Sequence, residues 1–149
     1  MLYASNFVEQ NPWTLEMDLV SDLSDFMADS MKKLKIEPSG KREITYEYFN
    51  LLKRLIAVRP RRIVRSKEFV CPSEYKKALQ QFEEDVCMGR NLNRYISDRI
   101  MQAEVTDDLL NDWNISHFHL TRRFRGDGFA KRSDYQIFAW VTDVVLEYK

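Results

Sequence analysis

Glycine and proline are scarce in this chain, with four of each in 149 residues. So few turn formers argue against long disordered stretches. The glycines also fall at the wrong spacings for nucleotide or hydrolase signatures: no P-loop, GxGxxG or GxSxG elbow occurs, and no cofactor is expected. Cysteine is nearly absent. Cys71 and Cys87 have no CxxC spacing and no neighbouring histidine, so both are expected as reduced, half-buried thiols and not as metal ligands. Long apolar runs are missing as well. No window approaches the roughly 18 apolar residues of a membrane span, and the first residues lack a basic region followed by an apolar run. These absences point to a cytoplasmic protein without a membrane partner.

What is present suits one globular domain spanning 1–149. The hydrophobic fraction is 44% and the aromatic fraction 13%, and a chain of this length buries roughly two thirds of its unfolded surface. Net charge is zero, but the charges come in blocks: residues 1–31 sum to −6, 32–67 to +9, 68–113 to −5 and 114–149 to +2. Such polarity bears on partners more than the overall balance does.

The fold expected is α+β, with a helical part over about 12–113 and a small antiparallel sheet over about 114–149. Leu15, Leu19, Leu23, Phe26, Met27, Met31 and Leu34 follow helical spacing behind Thr14, a suitable N-cap, and the break falls at Glu37-Pro38-Ser39-Gly40. Ile44, Tyr48, Leu51, Leu52, Leu55 and Ile56 predict a second helix over 43–58, stopped by Arg59-Pro60. Residues 61–70 alternate loosely and are rich in β-branched and basic residues, which reads as a strand or an extended loop. Pro72-Ser73 opens a third helix that ends before Gly89. Asn91 caps an expected fourth, which places Leu92, Tyr95, Ile96 and Ile100 on one face. Thr106-Asp107-Asp108 starts a short helix over 109–113.

After Asn114 the apolar period becomes two. Phe118 and Leu120 share one face of the strand, while Ile115, His117, His119 and Thr121 share the other. Residues 135–141 are apolar on both faces, as in a central strand, and Thr142-Asp143 turns into 144–148. Three antiparallel strands are the simplest outcome. A sheet ending on 144–148 would leave an unpaired edge for a protein partner or a second copy.

His117 and His119 are the only histidines. Two apart on a strand, their rings lie on one face, which suits an acid/base pair, a phosphate, a shared metal, or plain packing at a sheet edge. A metal needs a further ligand, and the spacing of Asp112, Asp127 and Asp134 selects none. The basic loop Arg122, Arg123, Arg125, Lys131 and Arg132 flanks the pair, and Arg59, Arg61, Arg62, Arg65 and Lys67 form a second tract. Arginines beside Phe124, Phe129 and Tyr135 suit phosphate contact and base stacking in RNA or DNA; the alternative is a solvated face that balances the acidic first helix. His119-Leu120-Thr121 matches the H-x-T of two-histidine phosphoesterases, which need the tripeptide twice.

The stretch Trp113-Asn114-Ile115-Ser116-His117-Phe118-His119-Leu120, followed by Gly128-Phe129-Ala130-Lys131-Arg132, resembles a W-x-I-x-H-x-H-L … G-F-x-x-R pattern in a family of small, largely uncharacterised bacterial proteins. The resemblance implies that the two histidines belong to a recurring unit. The C-terminal order of basic glycine loop, Arg/Lys pair and Asp134-Tyr135-Gln136-Ile137 is similar to the end of RelE- and HigB-type ribonuclease toxins, which normally carry arginine where this chain has Gln136. That similarity implies a nucleic-acid-directed protein of the bacterial host-conflict type. As a metal-independent ribonuclease it would use His117 and His119 as acid and base, with Arg122, Arg123 and Arg132 against the phosphorane. As a non-catalytic module it would grip nucleic acid through Arg61, Arg62, Arg65, Lys67, Arg122, Arg125, Lys131 and Tyr135. A third reading is an assembly subunit that docks through its acidic first helix.

Overall fold

The computed structural model describes residues 18–148; the expected helix start at Thr14 lies outside them. The first described helix, α1 (Leu19–Lys33), is capped by the Asp18 carboxylate, which accepts from the Ser21 amide at 3.1 Å, and carries Lys32 and Lys33 in its last turn. It stops before Pro38 because Lys35 takes a left-handed conformation (φ 61°), and the amides of Lys35 and Ile36 bond back to Lys32 and Met31. Ile36 and Met31 are buried together by that turn.

The second helix, α2 (Ile44–Arg54), is shorter than the apolar spacing implies. The Asn93 side chain holds both the amide and the carbonyl of Ile56 (2.8 and 2.9 Å), which fixes the chain in extended form well before Pro60. Two 3-10 turns, Leu92–Tyr95 and Asp98–Met101, stand where a fourth α-helix was expected. Asn91 does cap the first of them, and Leu92, Tyr95, Ile96 and Ile100 are all buried. A 3-10 turn at Ser73–Tyr75 leads into α3 (Lys76–Cys87), which ends with Gly89 at φ 67°. A Cβ there would lie 2.5 Å from the Pro60 nitrogen, so the close approach and the left-handed backbone both require glycine. The last helix is α4 (Asp108–Trp113).

The fold is α+β, but the sheet is larger than expected and mixed. Strands β1 (Arg62–Arg65), β2 (Ile115–His119), β3 (Gln136–Val141) and β4 (Val145–Tyr148) lie in the order β1-β4-β3-β2. The pair β1–β4 is parallel; β4–β3 and β3–β2 are antiparallel. The order of helices first and sheet last holds loosely, with β1 falling inside the 61–70 stretch read as a strand or extended loop. One expectation is corrected: β4 is an interior strand, because β1 pairs along it, so it offers no edge to a partner. One sheet face, with Phe118, Ile137, Ala139, Leu146 and Tyr148, packs against Phe82, Val86 and Tyr95. The other face is open: Phe138, in the central strand expected to be covered on both sides, is 46% exposed. A smaller core of Met31, Ile36, Leu51 and Ala103 joins α1 to α2 and shares Leu55 and Met101 with the main one. Cys71 and Cys87 are free thiols, Cys87 exposed and not half-buried. Among the described residues no helix is long and apolar enough to cross a membrane.

Candidate active site

The open sheet face is where the two histidines project. Asn114, left-handed at φ 55°, closes α4 and turns the chain directly into β2. The register then sets His117 opposite Phe138 and His119 opposite Gln136. The imidazole centroids are 6.3 Å apart with the rings nearly perpendicular (82°).

Their surroundings differ. His119 is buried; its Nδ1 lies 3.4 Å from the Ser133 carbonyl oxygen and 3.4 Å from the Gln136 amide nitrogen. Nδ1 can donate to that carbonyl, which leaves the lone pair on Nε2, or accept from the Gln136 amide, which puts the proton there; the two exclude each other. Burial pushes the His119 pKa below its ordinary value; the Ser133 carbonyl opposes the shift, and the neighbouring His117 and Arg132 reinforce it. His119 is therefore held neutral. His117 is partly exposed, and its Nδ1 lies 3.6 Å from Asp107 Oδ2, an ion-pair distance longer than a hydrogen bond. The other oxygen of Asp107 accepts from the Leu110 amide at 3.1 Å and caps α4. One carboxylate thus ties the histidine strand to the helix before it.

Both rings border a groove of about 350 Å³ that is also lined by Ser97, Arg99, Arg132, Ser133, Gln136 and one carboxylate, Asp134. A second cleft of about 230 Å³ shares Ser97, Arg99 and His117 with it and is walled by Arg54, Asp107 and Leu110. His117 stands where the two meet. A polar, arginine-lined depression bordered by a neutral imidazole and a carboxylate-facing imidazole can bind an oxyanion and exchange protons with it. Among the described residues no three His, Cys, Asp or Glu side chains are grouped to hold a metal ion.

Of the expected site residues, His117, His119 and Arg132 come together here. Arg123 is exposed outside the groove; its amide bonds Thr121 Oγ1 and its carbonyl accepts from the Lys131 amide, as part of the hairpin that also leaves Lys131 at the surface. Arg125 is paired with Asp98 and Asp127. Arg122 lines a separate cleft. The 59–67 tract does not act as one surface. Arg61 is 5% exposed and donates to the carbonyls of Ala57, Arg59 and Thr142, so it braces the chain and is not available to a phosphate. Arg65 is paired with Glu83 and bonds Tyr148 Oη, whereas Arg62 and Lys67 face solvent. The Tyr135 ring is stacked on Tyr75 at 4.9 Å, and its hydroxyl donates to the Val70 carbonyl. Arg99 and Asp107 were not foreseen. Asp107 was legible only as a helix cap, and nothing in Asp98-Arg99 distinguishes that arginine from any surface one.

No family model matches the chain, and no curated protein or solved structure is significantly similar to it.

Proposed function

We propose that this protein acts on nucleic acid as a metal-independent ribonuclease of the toxin-like, host-conflict kind, with the His117–His119 groove as its active site. The observation that carries the reading is the pairing of a buried, neutral His119 with a carboxylate-facing His117 across one arginine-lined groove. His119 Nε2 takes the proton from a ribose 2′-hydroxyl, whose oxygen attacks the adjacent phosphorus. The bond from phosphorus to the 5′-oxygen breaks, and His117, which faces Asp107, serves as the acid that gives that oxygen a proton. The products are a 2′,3′-cyclic phosphate and a 5′-hydroxyl end. Arg132 and Arg99 balance the phosphorane charge, Arg99 in the place first given to Arg123. The resemblance to RelE- and HigB-type toxins agrees with this chemistry, with Gln136 beside the base in place of their arginine.

The test is cleavage of a single-stranded RNA in the presence of a chelator. The His117→Ala, His119→Ala double variant, shown by circular dichroism to be folded, should lose activity by at least about 10²-fold. RNA binding without cleavage would favour the non-catalytic module instead.

A second reading concerns assembly. Leu19, Leu23 and Phe26 of α1 and Phe49 and Leu52 of α2 are exposed, and the rings of Phe26, Tyr48 and Phe49 form a chain of edge contacts across both helices. Patches of this kind mark interaction sites. The occupant is a second copy. When two α1 helices meet antiparallel, Asp18 and Asp22 of one face Lys32 and Lys33 of the other. The acidic helix thus finds its basic partner in its own sequence.

A further inference from the structure

Away from the histidines, three arginines line one cleft. The cleft, of about 290 Å³, is lined by Arg90, Arg94 and Arg122 together with Asp85, Tyr95 and Phe124. Asp85 supplies the single negative charge, and it is fully used. The side chain is 2% exposed; one oxygen accepts from Arg90 at 2.7 Å and Gln81 at 3.1 Å, the other from the Tyr95 hydroxyl at 2.6 Å. Burial alone would raise the Asp85 pKa, but the bonds from Tyr95, Arg90 and Gln81 outweigh it and hold the carboxyl below its ordinary value. Asp85 therefore stays ionised and neutralises Arg90.

Arg94 and Arg122 have no such counterpart. Neither has a carboxylate within ion-pair distance among the described residues. Arg94 is fixed in place, its guanidinium carbon 3.6 Å above the Phe124 ring and 5.9 Å from that of Tyr95, and its Nε is buried without an acceptor. Holding two like charges around one cleft is unfavourable until an anion enters. A planar carboxylate satisfies one guanidinium fork at a time. A tetrahedral oxyanion presents acceptors in several directions and can be shared by arginines that approach from α3's end, the 92–95 turn and the segment after β2.

We propose that this cleft is a phosphate-binding site formed by Arg94 and Arg122, with Arg90 at its rim. It does not depend on the ribonuclease reading, although Arg122 and Arg132 stand at the two ends of one basic hairpin, so a nucleic-acid backbone occupying the histidine groove is one natural source of the phosphate. A free phosphate or phosphomonoester is the other.

The experiment titrates the full chain with inorganic phosphate and follows the arginine Nε–Hε resonances by NMR. Saturable shifts at Arg94 and Arg122 are expected. Arg122→Glu, a change at an exposed side chain, should weaken phosphate at the Arg94 resonance at least ten-fold, and Arg94→Gln should do the same at Arg122 if it folds; Arg132→Glu should leave the phosphate-dependent shifts of Arg94 and Arg122 unchanged. A parallel arm measures single-stranded RNA on the His117→Ala, His119→Ala background. If Arg122→Glu also weakens RNA, the phosphate is a backbone one; if only inorganic phosphate is affected, the ligand is small. Either supports the site. Absence of saturable shifts at Arg94 and Arg122, or Arg94 shifts undiminished by Arg122→Glu, overturns it.

Discussion

His119 differs from an ordinary surface histidine because of where β2 and β3 place it. Its ring is covered on the sheet, and that burial outweighs the opposing Ser133 carbonyl at one nitrogen, so the neutral form is favoured in the fold. The sign of the resulting pH dependence follows. An unfolded chain takes up its proton near the ordinary value of about 6.5, whereas the folded protein resists until the pH is lower. Between those two points the unfolded state binds more protons, so stability attributable to His119 is complete above about pH 6.5 and is lost as the pH falls toward the folded value. Thermal unfolding followed over this range should show the melting temperature dropping more steeply in the natural protein than in His119→Gln. Equal slopes would mean that His119 is not held neutral. The same property serves the proposed chemistry, since a base that stays unprotonated in mildly acidic solution keeps cleavage active there.

At the scale of elements, α4 and β2 act as a unit through Asp107. Asp107→Asn keeps a side-chain acceptor for the Leu110 amide and removes the charge opposite His117; Asp107→Ala removes both. Cleavage should fall in both variants, while only Asp107→Ala should lose stability, by about 1 kcal/mol. Full activity in Asp107→Asn would show that the carboxylate does not orient His117. Local order of this kind was largely legible in the sequence. The caps at Asp107 and Asn91, Gly89 after α3 and the two-residue period of β2 are set by neighbours a few positions away. The rest depends on distant partners. The parallel pairing of β1 with β4 joins residues about 80 positions apart, and Asn93 ends α2 by reaching Ile56, 37 positions away. Spacing within a segment carries no trace of either. For the same reason the histidine pair and Arg132 could be anticipated from one stretch of chain, whereas Arg99 enters the groove from a turn that periodicity had assigned to a helix.

Among the described residues, the open sheet face with its arginine-lined groove contrasts with the apolar side of α1 and α2. The second should bring two copies together. Light scattering at about 100 µM should give close to twice 17.8 kDa, and Phe26→Glu should return a folded monomer by placing a charge in the middle of the apposed apolar stripes. A monomer in the natural protein at that concentration would contradict the pairing and leave the face to a different protein. The first surface carries the central claim. Its most direct test is the reaction of a single-stranded RNA with the purified protein and chelator, compared with the folded His117→Ala, His119→Ala variant. The account predicts fragments ending in 2′,3′-cyclic phosphate from the natural protein and a loss of at least about 10²-fold in the variant; cleavage that survives the loss of both histidines would contradict it.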